Sequence, residues 1–350
     1  MSWTDKWIAR GRRELTGGVI STDKPEFKDV ERSGQFQLVD ENEFDRVCSF
    51  INDVCLKENR NTVLLSEKHR VFTDFSVAQM MVKGDRIMGV IFSHPLDLHL
   101  ESVGGVVSHG YTTYLTVHPS LRKMSLAMSL IQRTMEIGHS IGTNCGYHLS
   151  PVRKTSNSIM IRQYIFPIMF PESAEDGFPF AEPSFRASKF ERIFIKRRLR
   201  MVKYEDEMFE KVHSFVSRYT ADHKIVFVPS VSTMKLLTKF MDGVVIIQDD
   251  AVVGFFFVHV KHVRNPKVDH TITVGDISYP IGCAVSIVCC IYKYLEELQI
   301  NTAYVYEMGC MSHNLLTFMG FKETDANEFV NFYNNAEDVS SATKVSFPIY

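Results

Sequence analysis

The amino-acid sequence predicts an α+β protein built from two copies of one unit, each a mixed central sheet flanked by helices. Three observations carry that expectation. Strand-like and helix-like segments run through the same order twice along the 350 residues. Glycines recur at one offset: Gly89 in "GDRIMGVIF" matches Gly254 in "QDDAVVGFFF", and Gly110 in "HGYTTYLTV" matches Gly275 in "VGDISYPIG", 165 residues on in both cases. Between the copies, "FPESAEDGFPFAEPSFRASK" (170–189) breaks both periodicities with Pro, Ser, acids and Phe. Its aromatics argue for packing rather than a free linker.

In the first copy, "GQFQLVD" (34–40) reads as a strand. "ENEFDRVCSFINDVCLKEN" reads as an amphipathic helix, with Cys48 and Cys55 seven apart on the apolar face. "SVAQMMVKGDRIMGVIFSHPLDLHL" reads as two strands around a Gly84-Asp85 turn. The strand "YTTYLTV" follows, then a helix from about Ser125, then the short strand "CGYHLS". The second copy repeats this with a strand and helix in "RMVKYEDEMFEKVHSFVSRYT" and a hairpin around Asp249 and Asp250. The strand "HTITVGDISYPIG", the helix "AVSIVCCIYKYLEELQ" and the strand "NTAYVYEMG" come next. A helix, a glycine and a last strand close it in "LLTFMGFKETDANEFVNFYN". The basic run "KFERIFIKRRLR" (189–200) alternates apolar and charged residues and predicts a half-exposed strand joining the copies.

Composition narrows the function classes. With 45% hydrophobic and 23% charged residues the chain matches ordinary globular proteins. A net charge of -2 offers no basic field for nucleic acid, and the basic run supports at most weak membrane or ribosome contact. The N-terminal stretch "MSWTDKWIARGRREL" has no apolar signal region and no run is long enough to span a bilayer, so a cytoplasmic monomer is expected. Seven cysteines without a CxxC pair, and scattered histidines, read as buried thiols in a reducing compartment with no metal site.

The copies diverge at one place. Tyr147 matches Tyr304 at an offset of only 157, so about eight residues are missing from the second copy between strand and helix. They correspond to "HPSLRKMS", which ends in a basic, small-residue turn where a helix opens. A helix N-terminus carries unpaired N–H groups and the positive end of the helix dipole. Small residues at Ser125 and Ala127 admit an anion to that backbone, and Arg122 and Lys123 supply counter-charge. The plain alternative is a capped helix with solvated Arg and Lys.

The order of hairpin, long strand, turn, helix and short strand resembles the acyl-CoA-binding N-acetyltransferase-like (GNAT) fold. A tandem pair of such units with "YLTVHPSLR" entering the turn resembles the glycylpeptide N-myristoyltransferase family, from about Gly34 to the end. The likeness is clearest in "TTYLTVHPSLRKMSLAMSLIQR" and in the last forty residues, which end "TKVSFPIY". The resemblance implies myristoyl-CoA as co-substrate, an N-terminal-glycine peptide as acceptor, and no metal. It implies an oxyanion hole from the backbone amides of Tyr114 and Leu115, and a base from the C-terminal carboxylate of Tyr350. Val117, Arg122, Lys123, Met124, Ser125, Leu126 and Ala127 would surround the coenzyme A, with Trp7 closing over it. Tyr147, His148, Ser150, Tyr279 and Glu307 fall where the family meets its peptide.

Departures from the family's pattern accompany these matches. Met124 and Ser125 stand where more basic residues are usual, and "LKENRNT" (56–62) replaces an acidic loop. His148, Leu149 and Ser150 stand for a Thr-Ala-Gly stretch. The implied organisation is an arm over acyl-CoA (1–33), an acyl-CoA-binding half (34–169), a connecting segment (170–199) and a peptide-binding half with the catalytic terminus (200–350). Two alternatives stay open: an acyltransferase of the same architecture with another acyl chain or amine, and a non-catalytic module that binds acyl-CoA or peptide.

Overall fold

The computed structural model describes residues 35–57, 62–63, 65–122, 126–143, 145–151, 153, 158–168, 184–265, 270–300, 302–333 and 341–349. Along the chain the elements are β1 (Gln35–Leu38), α1 (Phe44–Lys57), β2 (Thr62–Val63), α2 (Phe72–Phe75), β3 (Val77–Lys83), β4 (Arg86–Leu100) and β5 (Gly105–Val117). Then come α3 (Leu126–Ser140), β6 (Cys145–Ser150), β7 (Ser158–Pro167), α4 (Ser184–Lys196), β8 (Arg200–Lys203), α5 (Phe209–Tyr219) and β9 (Ile225–Phe227). They are followed by α6 (Val231–Phe240), β10 (Asp242–Gln248), β11 (Ala251–Asn265), β12 (His270–Gly282), α7 (Ala284–Glu297) and β13 (Thr302–Tyr306). The last elements are α8 (His313–Met319), β14 (Lys322–Tyr333) and β15 (Val345–Ser346). The described residues fall into two compact units. One lies within Met1–Ser158, Arg264–His270 and Phe329–Asp338, the other within Ile159–Val263, Thr271–Glu328 and Val339–Tyr350.

In the first unit β1, β3, β4 and β5 pair antiparallel in that order, and β5 pairs parallel with β6. Helix α1 buries Phe44, Val47, Ile51 and Val54, a spacing that keeps one face apolar, with Cys48 and Cys55 half-buried at its flank. Helix α3 sets Leu126 and Leu130 against Met81, Met88 and Ile91. Gly89 permits that contact: a Cβ there would lie 2.9 Å from Leu130 Cδ1 and 3.1 Å from the Thr116 carbonyl.

In the second unit β8, β10 and β11 pair antiparallel, β12 pairs parallel with β13, and β13 pairs antiparallel with β7. Its core gathers Val244, Ile246, Phe256 and Val258 from the strands and Ile287, Cys290, Ile291 and Leu295 from α7. The repeat holds residue for residue. Strands of 7, 15 and 13 residues recur as β3, β4, β5 and β10, β11, β12. The hairpin irregularity between Met81 and Val82 recurs between Ile246 and Ile247. Gly110 faces Gly146 where Gly275 faces Ala303, so the shorter offset after the lost turn is carried by the sheet register.

Three points differ from the sequence reading. Residues 184–196 are helix, not strand: Phe190, Ile193 and Phe194 follow helical spacing and pack on the second unit's core. Helix α6 and strands β7 and β9 come from segments the sequence pattern left unassigned. Finally, the copies are not contiguous in the chain. Strand β7, made directly after β6, pairs with β13 in the second unit, from Thr302 opposite Pro167 to Tyr306 opposite Gln163. The end of β14 pairs with β6 in the first, from Phe329 opposite Ser150 to Tyr333 opposite Gly146.

Candidate active site

The first unit carries a distortion where the strand pattern should be most regular. Pairing of β5 with β4 runs through Phe92 opposite Thr113 and resumes at Val90 opposite Thr116. Tyr114 and Leu115 therefore stand against one residue, Ile91, which is a β-bulge. Tyr114 takes a left-handed φ of 49°, and Leu115 is 40% exposed. The parallel register of β5 with β6 ends at Thr112 opposite His148, so the two strands part where the bulge begins. A bulge disrupts the ladder locally and bends the strand, and here it does so where β5 leaves β6.

Beyond the bulge, His118 N donates to the Met88 carbonyl at 2.9 Å, keeping the ladder up to the turn. Pro119–Leu121 form one short helical turn, in which His118 Nδ1 lies 2.8 Å from Ser120 Oγ. Arg122 follows on the surface, its N–H donating to the Pro119 carbonyl at 3.3 Å. Leu126, 2% exposed, seats the start of α3, with Ala127 half-buried beside it. Val117 packs on the same cluster. Lys123, Met124 and Ser125, like Trp7 and Tyr350, lie outside the described residues.

The second unit keeps the distortion but not the turn. Tyr279, 165 residues after Tyr114, has a φ of 53°. Strand β12 pairs with β13 only as far as Ile277 opposite Val305. At the next residue, Ser278 Oγ accepts a hydrogen bond from Ile349 N at 2.7 Å. The chain's last described segment leads there: β15 pairs with β9, and Ser346 Oγ lies 3.0 Å from His223 Nδ1. Phe347 and Ile349 are buried, and a Cβ on Gly309 would lie 2.8 Å from Ser346 Oγ. In the second copy the strand fork is thus occupied by the chain's own tail.

The residues expected to meet a peptide are divided by the structure. His148 and Ser150 are half-buried on β6, in register with Asn331 and Phe329. Tyr147 is enclosed, its ring stacked 4.8 Å from Tyr111 and 5.8 Å from Phe332. Tyr279 is also enclosed among Phe227, Phe255 and Phe257, its hydroxyl donating to the Phe227 carbonyl at 2.8 Å; burial pushes that phenol far above its ordinary range. Both tyrosines are packing residues here, with no exposed ring to offer a peptide. Glu307 accepts from Arg162 Nη1 at 2.9 Å and from His313 N at 3.3 Å, so its carboxylate is held within the second unit. Among the described residues no group of three or more His, Cys, Asp or Glu side chains is placed to hold a metal.

Fold and site together define a tandem GNAT-like α+β architecture with one strand fork followed by a turn and a long helix. In sequence, no family model and no curated protein matches the chain. In structure it is similar to Saccharomyces cerevisiae N-myristoyltransferase with bound myristoyl-CoA, at 14% identity and a TM-score of 0.72 over 97% of this chain and 96% of that one. A second structure of that enzyme, with myristoyl-CoA and inhibitors, matches at 13% identity and a TM-score of 0.73, covering 100% and 97%. A chain described as a fungal multi-domain β-N-acetylglucosaminidase with a GCN5-related glucosamine N-acetyltransferase region matches at 13% identity and a TM-score of 0.53, covering 88% of this chain and 39% of that one.

Proposed function

We propose that this protein transfers a myristoyl group from coenzyme A to the α-amine of an N-terminal glycine on a peptide or protein. The observation that carries the reading is the bulge at Tyr114 and Leu115, placed where β5 leaves β6 and just ahead of the turn into α3. Backbone amides there would hold the thioester oxygen as it becomes an oxyanion. The turn from Arg122 to Ala127 would hold the pyrophosphate. The Tyr350 carboxylate would take the proton from the glycine ammonium, and the amine would attack the thioester directly. A free α-carboxyl is a weak base (pKa ~3.5), so its contribution would come from position. The protein would act as a cytoplasmic monomer.

A second reading keeps the chemistry and changes the acceptor. The enclosure of Tyr147 and Tyr279 and the ion pair of Glu307 favour it, because three groups expected at a peptide are committed elsewhere. One experiment separates the readings: incubation with myristoyl-CoA and two peptides that differ only in Gly or Ala at position one. Acylation confined to the glycine amine supports the first. Equal turnover of both, or acylation of an internal lysine, selects the second. Failure of the protein to retain any acyl-CoA in native mass spectrometry rejects both. Within either reading, Arg122→Glu should weaken myristoyl-CoA binding about 10-fold or more if it faces phosphate, and calorimetry checks this.

A further inference from the structure

Directly before the bulge lies a hydrogen-bonded chain of three side chains. His94 Nε2 lies 2.9 Å from Thr113 Oγ1, and His94 Nδ1 is hydrogen-bonded to Ser76 Oγ. His94 is fully buried, its ring 4.5 Å from Phe72 and nearly parallel to Phe92, while Thr113 is half-buried at the strand fork. We propose that Ser76, His94 and Thr113 form a proton relay for acyl transfer at the bulge, with Thr113 touching the reacting atoms and His94 acting through it as a positioning residue. The proposal rests on the preceding reading that an acyl thioester is attacked beside Tyr114 and Leu115.

Chemistry and comparison within the chain both support it. A neutral imidazole offers one donor and one acceptor nitrogen, and each flanking hydroxyl can serve as either, so the chain can run in both directions. Burial holds His94 down to about 3, so the ring is neutral at working pH. The fold does not demand this chain. At the matching positions the second copy has His259 and Ser278 but Met241 in place of Ser76, and Ser278 accepts from Ile349 N instead.

The step balances without a further reactant. The acceptor nitrogen bonds to the thioester carbon, and the carbonyl pair moves onto the oxygen held at the bulge. The proton shed by nitrogen passes to Thr113 Oγ1 as that hydroxyl hands its own to the departing sulfur, while His94 Nε2–H stays bonded to Oγ1 and the ring stays neutral. When the C–S bond breaks, sulfur takes the electron pair and that proton. Amide and thiol leave, and the relay is restored.

The test compares Thr113→Val, Thr113→Ser, His94→Gln and the double variant Thr113→Val/His94→Gln, using myristoyl-CoA and a glycine-initiated peptide. The relay predicts a kcat loss of about 10²-fold in Thr113→Val and in His94→Gln, with the double variant no worse than either. It predicts near wild-type kcat in Thr113→Ser, and myristoyl-CoA Kd and peptide KM within about 2-fold throughout. A folded Thr113→Val with wild-type kcat, or a kcat loss that Thr113→Ser does not rescue, overturns the relay alone. Wild-type protein that binds no myristoyl-CoA overturns the preceding reading and the relay with it. If His94→Gln does not fold, the Val and Ser pair at position 113 still decides.

Discussion

Tyr114 and Tyr279 both hold a left-handed backbone, which costs a non-glycine residue about 1–3 kcal/mol. In the second unit the ring offsets that cost by burial among phenylalanines and by its bond to Phe227. In the first unit the half-buried Tyr114 ring lies 6.0 Å from Phe72, 6.1 Å from Phe92 and 6.2 Å from His69, so aromatic packing offsets the cost there as well. Close approach is the other residue-scale device. Gly89→Ala would press a methyl against the Thr116 carbonyl as well as Leu130, and backbone cannot step aside. We expect a loss of about 1–3 kcal/mol in urea unfolding. Histidines set the acid limit of the first unit. Burial lowers His94 to about 3 and His109 to about 4 from 6.5, so both are neutral when folded. Below pH 6.5 the unfolded chain binds the extra protons, and stability falls as pH drops toward the folded values. The slope is about 1.4 kcal/mol per pH unit per histidine. Moving from pH 7.5 to 5.0 should therefore lower the unfolding free energy by about 4 kcal/mol, and His109→Phe should remove about half of that loss.

Among elements, hairpins were the most legible in the sequence. Their turns need positive φ, and Gly84, Asp249 and Asp250 supply it at matched places. Helix α7 was legible as an apolar run that ends in charge. Helix α4 was not, because Ile193 and Ile195 also fit a strand; the packing of Phe190, Ile193 and Phe194 on the core, with Ile195 exposed, decides for the helix. For α6 the signals existed, since Ser230 precedes Met234, Leu237 and Phe240 at three-residue spacing, and its Oγ accepts from Thr233 N at 3.1 Å. Ser230→Ala should cost about 1 kcal/mol, read as a lower urea midpoint with unchanged slope. At the candidate site, the basic run could be read because charge and small residues are local features of the chain, though residues 123–125 lie outside the described ones. The bulge was not, since no side-chain pattern marks a backbone fork; the resemblance alone pointed to Tyr114 and Leu115. His94 was hidden beside Ser93 in the mostly apolar strand "VIFSHPL". Its match to His259 at the repeat offset was the available clue.

For the whole molecule, the exchanged strands decide where the chain can be divided. Sequence order suggests a cut near residue 170, between two complete copies. Pairing says otherwise, because β6 borders on residues 329–333, and those bring Val330, Asn331 and Phe332, all buried. Asn331 Oδ1 accepts from Ser158 Oγ at 2.7 Å, and the Phe332 ring lies against Tyr147. A fragment of residues 1–169 would lose all of this, leaving β6 as an open edge beside the stacked Tyr111 and Tyr147. An unpaired edge with an apolar face recruits other chains. We therefore expect residues 1–169 alone to associate and to lack cooperative unfolding. The same fragment with residues 329–338 joined through a flexible linker should be monomeric and unfold in one transition. Size-exclusion chromatography and urea titration followed by circular dichroism make the comparison. A monomeric, cooperative 1–169 fragment that gains nothing from the added strand would show that the exchange is incidental to stability. Rescue by the ten residues would show that the first copy folds only with the strand made near the end of the chain.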